Sequence, residues 1–182
     1  MTRIQPNKNP DAKSKELLAG VEKLLGSTPN IFTTLAHSPA ALGVFVGAIG
    51  AMANSKLPGG LREQIALTVA AANGCDYCAS AHTTLGKMNK VAEGELTLAL
   101  SGKSSDSKTQ TALVFARKLV LERGHVTDAD VDSLRRAGYS EGEIVDIVAV
   151  TGVNIFTNYF NHVAETDIDF PVVKTAGAAK AA

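Results

Sequence analysis

Tryptophan is absent from this chain, and aromatic residues fill only 5% of its 182 positions. No run of five β-branched or aromatic residues occurs. Strands draw on those residue types, so their scarcity disfavours a sheet. Charge of one sign is missing too: 18 basic residues balance 18 acidic ones. Such a chain shows no electrostatic footprint for nucleic acid or an anionic membrane surface. The longest apolar run, Ala40 to Ala53, falls short of the roughly 20 residues that a membrane-spanning helix needs. Met1 to Lys15 is polar and has no apolar centre of the kind an export signal requires. Two cysteines, three positions apart, are not a framework that staples distant segments. A cytoplasmic location is expected, with no nucleic-acid or membrane partner.

What is present is abundant alanine and an apolar fraction of 45%, enough for a real core. Small side chains let helices pack closely, so the expectation is one all-α domain of about eight helices. Residues 1–13 read as a flexible arm or an extended strap, 14–170 as the helical domain, and 171–182 as a disordered, low-complexity tail. Ser14 is expected to cap the first helix and Gly26 to end it. Ile31, Phe32 and Leu35 mark a short apolar segment. Ser38-Pro39 starts a helix to about Asn54. Further helices are expected from Gly60 to Asn73, from Cys75 or Asp76 to Met88, and from Val91 to Leu100. Three more follow: Ser104–Asp106 to Arg123, Thr127 to Ala137, and Ser140 to Glu165. Thr127 with Asp130, and Ser140 with Glu143, have the spacing of capping boxes. In the Pro39 helix, Gly43, Gly47 and Gly50 form a smooth stripe. Glycine costs about 1 kcal/mol against alanine in a helix, which close approach of another backbone would offset. Packing within the subunit is the first expectation, and a subunit interface the second.

The chemistry gathers in LREQIALTVAAANGCDYCASAH, Leu61 to His82. Both cysteines are here, Cys75 and Cys78, with His82 four residues on and Glu63 twelve residues back. At a helix start, Cys75, Cys78 and His82 share one face, and Cys78 and His82 are an i, i+4 pair. Cys75 is nearest the free amides of the helix N-terminus, which favour a thiolate. The spacing also lies within reach of a disulfide. One thiol can attack a peroxide and become a sulfenic acid, and the other can condense with it. A reversal at Asn73-Gly74 would bring Glu63 to the level of His82. The carboxylate would then orient the imidazole, and the imidazole would take the proton of Cys78.

Plainer readings compete. An inert buried thiol pair is one, and a His82 that only satisfies a hydrogen bond in the core is another. A zinc site made by Cys75, Cys78, His82 and Glu63 is disfavoured, because structural sites usually pair two such knuckles and one is present. No metal and no cofactor are expected.

Glu63-x11-Cys75-x2-Cys78-x3-His82 resembles the alkylhydroperoxidase D-like branch of the carboxymuconolactone decarboxylase superfamily. The resemblance is specific over about residues 58–90 and looser from about 28 to 170. It implies an all-α fold assembled as a trimer or hexamer. It implies Cys78 as the peroxidatic thiol, Cys75 as the resolving one, and Glu63 with His82 as a proton relay through water. The substrate would be an organic hydroperoxide and the electron donor a dithiol protein. The alternatives are a non-catalytic redox-sensing or scaffold oligomer, and a decarboxylase-like enzyme; the latter is disfavoured because that branch lacks the cysteine pair. Tyr77 stands where the best-known members have histidine. A phenol is no base at neutral pH, but it can donate a hydrogen bond or close a pocket. Asn154, Asn158, Asn161 and His162 are polar positions on an otherwise apolar last helix. Hydrogen bonds to neighbouring helices are the first expectation for them. The second places one of the four at the peroxide pocket, of this subunit or another, with Asn158 and His162, beside Tyr77, as the first candidates.

Overall fold

The computed structural model describes residues 2–175. Among the described residues there are nine helices and no strands. They are α1 (Ala12–Leu25), α2 (Asn30–Leu35), α3 (Pro39–Ala53), α4 (Gly59–Asn73), α5 (Asp76–Met88), α6 (Glu93–Ala99), α7 (Ser107–Leu121), α8 (Asp128–Arg136) and α9 (Glu141–Ala164). The short apolar segment at Ile31 is the added helix. The first helix starts earlier than Ser14, because the Asp11 carboxylate accepts from the Ser14 N–H and takes the capping role. Both expected capping boxes form, and Asp130 serves in place of the usual Glu.

Helix α4 is the axis of the domain, packed against α5, α6, α7 and α9. Its run from Gln64 to Ala70 is wholly buried, which an Ala-rich helix without a polar face allows. Two apolar clusters flank it. One joins Ile65, Leu67 and Val69 to Leu113 and Phe115 of α7 and Ile147 of α9. The other joins Ala70 to Phe32, Leu35 and Leu42 of α2 and α3 and to Cys75, Tyr77 and Cys78. The cysteines therefore lie in the core on the side where α1–α3 cover the bundle.

The glycine stripe does not pack as expected. Cβ atoms built at Gly47 and Gly50 would meet nothing within 4 Å, and one at Gly43 would meet only Leu17 Cδ1 at 3.9 Å. Of α3's apolar residues only Leu42 is fully buried, since its other large side chains border a cavity or solvent. The genuinely close helix approach is elsewhere: a Cβ on Gly86 of α5 would run into the Leu96 side chain of α6.

The two ends make definite contacts. The Arg3 and Ile4 amides both donate to the Ala164 carbonyl, and Asn7 N–H donates to Thr33 O. Past the expected boundary at 170, the Val173 N–H donates to Ser80 Oγ and Lys174 pairs with Asp76 at 2.9 Å. Residues 171–175 thus lie against the first turns of α5, so the expected tail begins no earlier than 176, outside the described residues. No helix among the described residues is long and apolar enough to cross a membrane.

Candidate active site

Asn73-Gly74 provides the turn on which the site depends. Gly74 has φ 72°, a left-handed conformation that favours glycine, and its N–H caps α4. The chain reverses, and Cys75 becomes the N-cap of α5, its Sγ accepting from the Cys78 N–H at 3.3 Å. Helices α4 and α5 then run as neighbours, and Glu63 reaches His82: Oε2 lies 2.7 Å from Nδ1. With Nδ1–H donating to the carboxylate, Nε2 is the nitrogen left to face Asn154 and the thiol. The third contributor is α9, whose Asn161 Nδ2 donates to Cys78 Sγ at 3.3 Å.

Both thiols are free and buried, and their environments differ. Burial would push the Cys78 thiol up. The Cys75 hydrogen bond, the positive charge of His82 and the nearby amides of Asn161 and Asn158 outweigh it, leaving Cys78 lowered to about 7. Cys75 is pushed well above the ordinary thiol range, first by its hydrogen bond to Cys78, then by burial and the neighbouring charge. The amides of the helix N-terminus favour a thiolate on Cys75. The charge falls on Cys78 instead, because two adjacent buried thiols cannot both ionise and Cys78 has the better partners. Burial pulls His82 down, but the hydrogen bond and charge of Glu63, aided by Cys78 and Asn154, raise it above its ordinary value. Thiolate and imidazolium therefore support each other.

These groups open onto a cavity of about 550 Å³. Cys78, His82, Glu63, Asn154, Thr157 and Asn161 give it a polar patch. The walls are mainly apolar, with Val21, Leu25, Phe32, Phe45, Ile49 and Phe170 among them. Phe32 and Phe45 stack with centroids 5.0 Å apart. Tyr77 lines the cavity as well, but as an anchor: its hydroxyl accepts from the Ile31 N–H at 3.2 Å and its ring meets Phe170 edge-on. Burial raises its phenol further from neutrality's range.

The structure thus brings together Glu63, Cys75, Cys78 and His82, and adds Tyr77 to the cavity wall. Asn158 is wholly buried and outside the cavity lining, with Oδ1 accepting from Asn73 Nδ2 at 2.9 Å. His162 is exposed and lies outside the lining of this cavity. Asn161, one of the four polar positions on the last helix, meets the thiol, whereas Asn73 carries a contact that spacing did not single out. Among the described residues, no group of three or more His, Cys, Asp or Glu is disposed to hold a metal ion.

The carboxymuconolactone decarboxylase family model matches residues 39–122, which contain the whole Glu63–His82 stretch. No curated protein matches the sequence. Among solved structures, the chain is similar to the alkylhydroperoxidase AhpD core of an uncharacterized peroxidase-related protein from Ralstonia eutropha JMP134. Identity is 25%, the TM-score is 0.80, and the match covers 88% of this chain and 87% of that one. A peroxidase-related protein from Silicibacter sp. TM1040 shares the fold at 24% identity and TM-score 0.81, covering 91% of each chain. The debrominase Bmp8, solved as a cysteine variant in complex with 2,3,4-tribromopyrrole, is 25% identical at TM-score 0.79, covering 93% of this chain and 92% of that one. The family match over residues 39–122 and the shared fold together support the superfamily of alkylhydroperoxidase D-like proteins and carboxymuconolactone decarboxylases.

Proposed function

We propose that the protein is a thiol-dependent hydroperoxidase whose substrate is a bulky, apolar organic hydroperoxide. The observation that carries this reading is a Cys78 thiol of lowered pKa, paired with His82–Glu63, opening onto a large apolar cavity. The Cys78 thiolate attacks the distal oxygen of the hydroperoxide. The O–O bond breaks, the alkoxide leaves with a proton from His82, and Cys78 becomes a sulfenic acid. Cys75 then attacks the Cys78 sulfur; the S–O bond breaks, water leaves, and the Cys75–Cys78 disulfide forms. A dithiol protein returns two electrons and two protons. Glu63 holds the ring so that Nε2 carries the mobile proton. The Asn161 Oδ1 atom is buried with no partner, and it is an acceptor for the hydroperoxide O–H.

Stopped-flow oxidation of the reduced protein by cumene hydroperoxide tests the reading. Rapid oxidation is expected in wild type and not in Cys78→Ser. A wild-type rate no faster than that of a free thiol would rule it out. A disulfide that alters assembly without peroxide turnover would favour the redox-sensing alternative. Incubation with 2,3,4-tribromopyrrole, the ligand of the debrominase neighbour, is the competing arm: bromide release without peroxide turnover would move the assignment to dehalogenation.

A further inference from the structure

Asparagines are uncommon in fully buried positions, yet two of them, Asn158 and Asn161, lie near one sulfur, and a third, the half-buried Asn73, is bonded to Asn158. Asn161 of α9 donates to Cys78 Sγ through Nδ2. Asn158, one turn earlier on the same helix, is 0% exposed, and its Nδ2 has no partner. Its Oδ1 is occupied by Asn73 Nδ2 at 2.9 Å. Asn73 is the last residue of α4, so the turn that presents Cys75 also presents this amide.

We propose that Asn161, Asn158 and Asn73 form an amide cradle for the Cys78 thiolate. Asn161 donates to the sulfur directly, Asn158 supplies a second N–H, and Asn73 fixes the Asn158 amide so that nitrogen rather than oxygen is presented. The chemistry is that of an anion hole. A buried amide N–H without an acceptor is costly, and a thiolate beside it is an acceptor where a thiol is a poor one. If the Asn158 amide were reversed, its carbonyl oxygen would repel the charge. Asn73 opposes that reversal by donating to the oxygen. Asn161 touches the reacting sulfur; Asn73 is a positioning residue that acts only through Asn158. The titratable groups around Cys78 are Cys75 and Tyr77 on its own turn, His82 one turn on, and Glu63 behind His82 from α4; α9 brings amides and the Thr157 hydroxyl to this region. The cradle offers the thiolate the donors that Tyr77 does not. This role depends on Cys78 reacting as a thiolate, whatever its oxidant.

The test uses the full chain with Cys75→Ser, which leaves Cys78 as the only thiol. Ultraviolet thiolate absorbance and the rate of iodoacetamide alkylation are followed against pH, with thermal unfolding recorded alongside. Asn161→Leu and Asn158→Leu should each raise the thiol midpoint by about one unit and slow alkylation at pH 7 by about tenfold. Asn158→Asp should raise it further. Asn73→Leu should raise it less, and should add nothing in the Asn158→Leu background. Where a leucine variant does not fold, Asn158→Ala and Asn161→Ala replace it, with a shift in the same direction. Unchanged midpoints in the folded Asn161 and Asn158 variants would overturn the cradle. An Asn73→Leu shift that persists undiminished without Asn158 would overturn the positioning role, and a purely structural role would lower the unfolding temperature without moving the midpoint.

Discussion

Glu63 Oε2 lies 2.7 Å from His82 Nδ1, across two helices and nineteen residues of sequence. Both side chains are largely buried, at 16% and 21% exposure, so the pair is weakly screened by solvent. Glu63→Gln keeps the shape but removes the charge that holds His82 up. General acid–base assistance of this kind contributes at least about a hundredfold, so oxidation of Cys78 by cumene hydroperoxide at neutral pH should fall by roughly that factor. Stopped-flow traces of the two proteins check this.

The rate of Cys78 modification should follow the thiolate fraction. With the thiol lowered to about 7, reactivity rises as pH increases through that value and levels off above it. His82→Ala removes a positive charge that favours the thiolate, so the midpoint should move upward and the rate at pH 7 should drop. Alkylation rates from acid to mildly alkaline pH give both midpoints. A wild-type midpoint at the ordinary thiol value would contradict the electrostatic account.

Tyr77→Phe removes the hydroxyl that accepts from the buried Ile31 N–H while leaving the ring against Phe170. An unpaired buried donor costs about 1–3 kcal/mol, and the loss should appear in urea unfolding. Cys78 should titrate close to its wild-type midpoint, because the phenol is not among its main partners.

Gly86→Ala places a methyl group inside the Leu96 side chain, which is itself 2% exposed and has no room to withdraw. Overpacking of this type costs typically about 1–3 kcal/mol. By contrast Gly47→Ala meets nothing within 4 Å and should stabilise α3 by about 1 kcal/mol through helix propensity. Paired denaturation curves should show the opposite signs.

Ile49→Trp narrows the cavity from the α3 wall without touching Cys78, His82 or Glu63. Oxidation by cumene hydroperoxide should slow by about tenfold or more, as a steric cost of 1–3 kcal/mol implies, while hydrogen peroxide should react as before. Equal slowing of both oxidants would show that the wall does not select by size.

Helix starts and stops were legible because they are local. Ser38-Pro39, Gly26, Gly74 and the two capping boxes each act within a turn of themselves. The Glu63–His82 pairing was legible too, since one short turn and a fixed rise per residue set the register of α4 against α5. Residues on crossing elements were not. Asn161 and His162 are adjacent on α9, and only the way α9 crosses α5 decides that one meets a sulfur and the other meets solvent. Asn73 looked like part of a turn signal, and nothing local reveals its bond to Asn158, 85 residues away. The glycine stripe suggested close packing, but which side of α3 faces a neighbour depends on α1 and on the cavity, not on α3's own pattern.

That stripe has a consequence for kinetics. Each of Gly43, Gly47 and Gly50 weakens α3 by about 1 kcal/mol, and contacts within the chain return little of it. Helix α3, one wall of the cavity, is therefore less costly to fray than α4 behind it. Amide hydrogens of α3 should exchange with solvent well before those of α4, whose inner face is fully enclosed. Entry of a large guest and release of its product would then be timed by transient opening of this wall, with the thiol and its relay held still on the rigid helices behind it.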